Sequence, residues 1–179
     1  MRALSAGERM IWRADRCSPL NFVLVAVLDE PIPERCVQQA LDELVAMRPV
    51  LGMSIDETLT ETPVFVRARR SPRVERCVDR EWRPVAEGWL NRSFHLPEEP
   101  LFRLLCCGSA GEQLVLVFHH CFGDGTSGLV VLRELLARCA SGMRGETTDT
   151  TAREWGVPLE DRTLRDVAIP SAPAVVGER

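Results

Sequence analysis

His119-His120-Cys121-Phe122-Gly123-Asp124-Gly125 puts two imidazoles, a thiol and a carboxylate into one short stretch. An imidazole titrates near ~6.5 and is the usual side chain for moving protons at neutral pH, so general acid–base chemistry is the first possibility. Asp124 could orient an imidazole or lock the turn, and Gly123 and Gly125 suit a backbone that bends sharply or lets a neighbour approach. Three other readings use the same residues. Cys121 could be a nucleophile activated by His120. The histidines and Asp124 could hold a metal, although neighbouring residues on a strand point to opposite faces, so both imidazoles reach one ion only where the strand breaks. Or the turn could be purely structural, with His119 and Asp124 satisfying each other.

The flanking residues predict how such a site is carried. Gln113-Leu114-Val115-Leu116-Val117-Phe118 is an almost unbroken apolar run preceded by the turn-forming Gly108-Ser109-Ala110-Gly111, which predicts a buried strand after a hairpin. After the motif, Leu129, Leu132, Leu136 and Cys139 recur at three- and four-residue spacing, which predicts an amphipathic helix over 126–139. The histidines therefore belong to a strand-to-helix turn.

Composition narrows the chemistry. All 22 basic residues are arginine and the chain has no tyrosine, which excludes a Schiff-base lysine, a phosphate-loop lysine and a tyrosine nucleophile. With 179 residues, 45% hydrophobic content and a net charge of −4, the chain is one domain able to bury a single core. Arg67 to Arg83 is the most basic run, but Glu75, Asp79 and Glu81 interleave with it and no aromatic ladder accompanies it. It is read as a solvated face, with attraction of an acidic carrier protein or a coenzyme phosphate as a lesser use; nucleic acid is not an expected partner. The 7 cysteines form no Cys-x-x-Cys pair and no disulfide framework, and most read as small buried hydrophobes in a reducing compartment. Phe22 to Leu28 is too short to span a bilayer and reads as a strand buried on both faces, so no membrane span and a cytoplasmic location are expected.

The remaining elements follow from local signals. Ser5 with Glu8 is a capping-box pattern, predicting a helix over 6–14 whose inner face is Met10, Ile11 and Ala14. A strand is predicted over 21–28. Pro33 opens a helix with apolar face Val37, Leu41, Leu44 and Val45, closed by Pro49. Residues 51–55 and 64–69 read as a hairpin, 82–91 as a helix with Trp89 and Leu90 turned inward, and a strand starts at Leu101. The intermixed helices and strands predict an α/β sandwich, a mixed sheet covered by helices.

The pattern His-His-x-x-x-Asp-Gly, after an apolar strand and before Thr126-Ser127-Gly128 and a helix, resembles the active-site motif of the chloramphenicol acetyltransferase-like superfamily, which includes condensation domains of nonribosomal peptide synthetases. Pro100-Leu101-Phe102-Arg103-Leu104-Leu105 and Arg48-Pro49-Val50-Leu51 resemble its flanking elements. Leu4-Ser5-Ala6-Gly7-Glu8-Arg9-Met10 with Ser18-Pro19-Leu20-Asn21-Phe22 is most similar to the polyketide-associated and alcohol acyltransferase branch. The resemblance spans residues 4 to 140. It implies the superfamily's α/β two-layer sandwich and an acyltransferase in which His120 is the general base, taking a proton from a hydroxyl or amine acceptor as it attacks a thioester carbonyl. By the same resemblance Asp124 is structural, holding the loop through an ion pair, His119 supports the loop, and Gly125 leaves room for the acyl donor. The donor implied is an acyl-coenzyme A or acyl carrier protein thioester, with no bound cofactor and no metal.

Members of that superfamily usually have two such subdomains, and only the first is expected here. Residues 1–140 read as that subdomain, and 141–179 as an extended linker or tail, polar and turn-rich in its first part and rich in proline and alanine in its last. A missing C-terminal half, a second chain or a second copy is therefore an expected partner, and the sheet edge and apolar face left open should favour dimerisation or poor solubility. The alternative function is a catalytically silent half-domain that binds a carrier protein or a partner chain.

Overall fold

The computed structural model describes residues 1–78, 81–146 and 148–151. The elements in chain order are β1 (Arg2–Ala3), α1 (Ala6–Asp15), β2 (Asn21–Val27), α2 (Glu34–Met47), a 3-10 turn (Pro49–Gly52), β3 (Met53–Asp56), β4 (Val64–Arg67), β5 (Val74–Val78), α3 (Trp82–Leu90), β6 (Phe102–Gly108), β7 (Gln113–His119) and α4 (Gly125–Met143). The main sheet is four-stranded in the order β2-β7-β6-β5, and a smaller three-stranded sheet has the order β1-β4-β3. In the main sheet β5 runs parallel to β6 and the other pairs are antiparallel, so the sheet is mixed, as expected.

Alternation along β6 and β7 builds the core. Leu104, Cys106, Leu114, Leu116 and Phe118 project to one face, where they meet Val37, Leu41 and Leu44 of α2 and Val131, Leu135 and Cys139 of α4. Leu105, Cys107, Val115 and Val117 project to the other, against Ala86 and Trp89 of α3 and Phe94. This period-two alternation explains why the strand before the motif reads as unbroken apolar sequence: both of its faces are covered, and every residue of β7 is buried. Truncating a fully buried side chain such as Leu116 to alanine would cost about 2–5 kcal/mol. Arg48, at the end of α2, fastens α2 to α4 with two bonds of 2.5 and 2.6 Å to the Glu134 carboxylate.

Several local expectations need correction. β2 is packed on both faces, but it lies at the sheet edge, and its residues from Asn21 to Ala26 are half-buried rather than buried. β5 falls inside the arginine-rich run read as a solvated face; Val74 and Cys77 turn into different core layers while Arg76 between them is exposed. The capping box of α1 is present, with Glu8 N donating to Ser5 Oγ at 3.2 Å and Ser5 N to Glu8 Oε2 at 2.7 Å. Met10, however, is 69% exposed, and Ile11 and Trp12 turn inward toward the small sheet. Leu90 and Leu129 are also exposed, whereas Trp89 is buried as expected. Cys17 is exposed, while Cys106, Cys107, Cys121 and Cys139 are buried.

α4 continues past position 140 to Met143. Beyond it, Arg138 of α4 holds Thr148 Oγ1 at 2.7 Å and the Asp149 carbonyl at 2.6 Å, so this stretch of the expected linker packs back on the helix. The rest of that linker, from 152 on, lies outside the described residues. No helix among the described residues is long and apolar enough to cross a membrane.

Candidate active site

β7 delivers His119 as its last residue, and the chain then turns at once: Phe122 N donates to the His119 carbonyl at 2.8 Å. His119 N is bonded to the Leu101 carbonyl and His120 N to the Leu20 carbonyl, at 3.0 and 2.9 Å, so the backbone of both histidines is fixed from neighbouring elements. Their rings part. The His119 ring meets Phe94 edge-on on the α3 side of the sheet, with centroids 6.0 Å apart. The His120 ring lies 5.0 Å from Phe22, whose ring stacks on Phe118 in the core layer beneath α4. Two imidazoles on opposite faces do not converge on one ion.

His119 is fully buried and its hydrogen bonding assigns its protons. Cys121 N donates to Nδ1 at 3.0 Å, so Nδ1 is an acceptor and the ring proton of the neutral imidazole is on Nε2. Nε2 lies 3.2 Å from Asp15 Oδ1, a bent and therefore weak hydrogen bond, and it has no other partner among the described residues. Burial opposes the charged form of Asp15, but hydrogen bonding from His119 and from Leu20 N outweighs it, and the carboxyl titrates below its ordinary value. His119 thus pairs with Asp15, not with Asp124 as the structural-turn reading required.

His120 is half-buried, and its ring nitrogens have no hydrogen-bond partner among the described residues. The imidazole sits where β7 gives way to α4. Its backbone is held through its own N–H by Leu20 and through that of His119 by Leu101.

Asp124 is the N-cap of α4. Its carboxylate accepts Ser127 N at 2.8 Å and Ser127 Oγ at 2.9 Å, which satisfies an orphan donor of the first helical turn. These bonds, the backbone one foremost, hold its carboxyl below the ordinary range. The loop is held by this cap; the expected ion pair is absent from its partners among the described residues. Gly123 is needed beside it, since a Cβ there would stand 2.9 Å from Ser127 Cβ. A Cβ on Gly125 would meet nothing within 4 Å, so open space lies there in this chain.

Cys121 does not suit nucleophilic attack. It is 4% exposed, its Sγ rests 3.5 Å from the Glu8 carbonyl, and burial, with the Glu8 and Asp15 charges adding to it, pushes its thiol up to about 12. Among the described residues no group of three or more His, Cys, Asp and Glu side chains could hold a metal ion.

Sequence reasoning did not single out Asp15, Leu20, Phe22 or Gly128 as parts of the site. Asp15 ends α1 and carries no local signal, because its partner His119 is remote in sequence. Gly128 is a helix residue whose added Cβ would stand 2.8 Å from Phe22 and 2.9 Å from Leu24. A glycine in a predicted amphipathic helix was the available clue.

No protein-family model and no curated protein matches this sequence. Solved structures do. Polyketide synthase associated protein 5 from Mycobacterium tuberculosis superposes with a TM-score of 0.70 at 20% identity, over 92% of this chain and 39% of that one. The starter condensation domain of rhizomide synthetase RzmA gives 0.65 at 19%, over 82% of this chain and 39% of that one. The chain has the condensation-domain fold. The condensation domain from the Monacolin K polyketide synthase MokA agrees, with a TM-score of 0.63 at 14% identity over 83% of this chain and 35% of that one. The condensation-type fold here is therefore partial, spanning 39% of the first two structures' length. A mutant of the rhizomide domain has been solved in complex with C8-CoA.

Proposed function

We propose that this chain forms the histidine-bearing half of an acyltransferase that moves an acyl group from a coenzyme A or carrier-protein thioester to a hydroxyl or amine. The observation that carries this reading is His120: an imidazole without a partner among the described residues, on a fixed backbone, at the strand-to-helix turn of a condensation-type fold. The C8-CoA complex of the rhizomide domain supports a thioester donor.

In the proposed reaction the acceptor O–H or N–H approaches His120 and the oxygen or nitrogen attacks the thioester carbonyl. His120 takes the proton as the new bond forms. The tetrahedral intermediate then collapses, the C–S bond breaks, and the thiolate leaves with the proton returned to it. No acyl-enzyme forms and no cofactor is consumed. Holding donor and acceptor against one base can contribute about 7–11 kcal/mol, and the base itself about 10²–10⁴-fold. Asp124 shapes the loop, His119 supports it from beneath, and the open space at Gly125 admits the donor. A further chain segment, a second chain or a second copy would complete the cleft. A reducing, cytoplasmic setting accords with seven cysteines that are all free.

The partial span of the fold favours one other reading, a silent half-domain that docks on a carrier protein or partner chain. Mass spectrometry separates the two. Acyl-coenzyme A is offered with a panel of alcohols and amines to the wild type and to His120→Ala, each alone and with a candidate partner chain. Turnover that vanishes in the variant supports the transferase. A folded wild type without turnover in every combination supports the docking module.

A further inference from the structure

One carboxylate oxygen reaches both histidines of the motif, and it belongs to a different element. Asp15 Oδ1 accepts Leu20 N at 2.7 Å and faces His119 Nε2 at 3.2 Å. Leu20 in turn offers its carbonyl to His120 N at 2.9 Å. The same oxygen thus bears on the ring of the first histidine and, through one residue, on the backbone of the second. We propose that Asp15 is the positioning residue of this site, holding His119 as the Nε2–H tautomer and, through Leu20, fixing where His120 stands.

Burial makes the arrangement restrictive. The His119 side chain is 0% exposed and that of Asp15 11%, so the His119 ring meets no bulk water, while Asp15 keeps one edge on a cavity it shares with Trp12 and His95. On its other side the His119 ring must keep Nδ1 free of a proton, because Cys121 N donates to it at 3.0 Å. If the proton moved to Nδ1, two N–H groups would face each other in the core and Asp15 would be left with Leu20 N as its donor. A buried donor left without an acceptor costs about 1–3 kcal/mol. The two contacts therefore select the same tautomer from opposite edges of the ring. Glu8, whose field with that of Asp15 reaches Cys121, is held by Arg2 at 2.6 Å, and Arg16, Asp56, Glu57, His95 and Glu98 line the cavity beside Asp15. Asp15 does not touch a reacting atom in this scheme; it acts through His119 and Leu20.

The kinetic half of the test rests on the acyl-transfer reading, and the spectroscopic half does not. With 3 histidines in the chain, the ring nitrogens can be assigned by ¹⁵N NMR of the full 179-residue protein. The wild type at neutral pH should show His119 with a protonated Nε2 and a bare Nδ1. Asp15→Ala should shift it toward mixed tautomers. Asp15→Asn, which retains an oxygen for both donors, should hold the wild-type tautomer. In acyl transfer Asp15→Ala should lower kcat about 10- to 100-fold with KM little changed, the scale on which carboxylates that orient metal-bound histidines act, and Asp15→Asn should recover most of it. A wild-type His119 protonated on Nδ1 overturns the proposal without any variant, even if Asp15→Ala does not fold. An unchanged tautomer in a folded Asp15→Ala also overturns it. Failure of the wild type to transfer acyl groups counts against the proposed function, and the tautomer then decides the role of Asp15.

Discussion

Gly128 of α4 lies so close to Phe22 of β2 that a Cβ added to the glycine would stand 2.8 Å from Phe22 Cε2. The same atom would meet Leu24 Cδ1 at 2.9 Å and Phe118 Cε2 at 3.3 Å. Phe22 is the ring beside His120, so this glycine sets how deeply the helix seats next to the candidate base.

Gly128→Ala should destabilise the protein by about 1–3 kcal/mol, because the rings it meets are stacked and cannot swing away. That outweighs the ~1 kcal/mol by which alanine is the better helix former. Urea denaturation measures the difference. Gly125→Ala is the contrast: its Cβ enters open space, so stability should hold or rise by about 0.4–1 kcal/mol. Loss of transfer in a Gly125→Ala protein of full stability would show that the donor uses that space.

His120→Ala should abolish or reduce acyl transfer by about 10²–10⁴-fold while leaving the melting temperature near that of the wild type, since no described hydrogen bond involves the ring. Circular dichroism with a thioester-cleavage assay reads both quantities.

Asp124→Ala removes the cap of α4 and should cost about 1 kcal/mol of stability, with Asp124→Asn and Asp124→Ser recovering most of it. Recovery by a neutral cap would show that the hydrogen bonds to Ser127, rather than the charge, hold the loop.

Acid should weaken the fold. The carboxyls of Asp15, Asp124 and Glu99 all lie below their ordinary values of 3.8, 3.8 and 4.5. For Glu99, burial works the other way but is outweighed by its bond to Arg103. A group depressed by folding contributes stability that is fully present above its unfolded value and is lost as pH falls through its folded one. Denaturation midpoints measured from pH 6 to pH 3 should therefore fall steeply below about pH 4.5, the ordinary glutamate value. Asp124→Asn should make that fall shallower.

Cys121 should resist alkylation. A thiol pushed up to about 12 in a buried site carries almost no thiolate at neutral pH, whereas Cys17 is exposed. Iodoacetamide followed by peptide mass spectrometry should mark Cys17 and spare Cys121, and Cys121→Ala should keep its transfer activity.

The elements nearest the motif were the most legible, because each is coded locally. The unbroken apolar run of β7, the capping box at Ser5 and Glu8, and the spacing of Leu132, Leu136 and Cys139 all survive in the structure. Leu129 did not follow its helical spacing inward, since the buried stripe of α4 runs through Gly128, Val131, Leu135 and Cys139 and leaves Leu129 to one side of it. β5 was hidden because it is a short edge strand whose Val74 and Cys77 are only partly covered, each in a different core layer, with Glu75 and Arg76 between them.

Residue order was enough to show that an imidazole-rich turn joins a buried strand to an amphipathic helix, and that this chain offers no lysine or tyrosine chemistry. Those conclusions need only neighbouring residues and counts. Which partner each motif residue takes emerged from the folded chain. His119 found Asp15 across the fold, Asp124 turned to Ser127, and the two imidazoles separated onto opposite faces of the sheet. The pleat fixes the side on which each side chain emerges, but what waits there depends on chain segments remote in sequence, and no local pattern encodes their arrival.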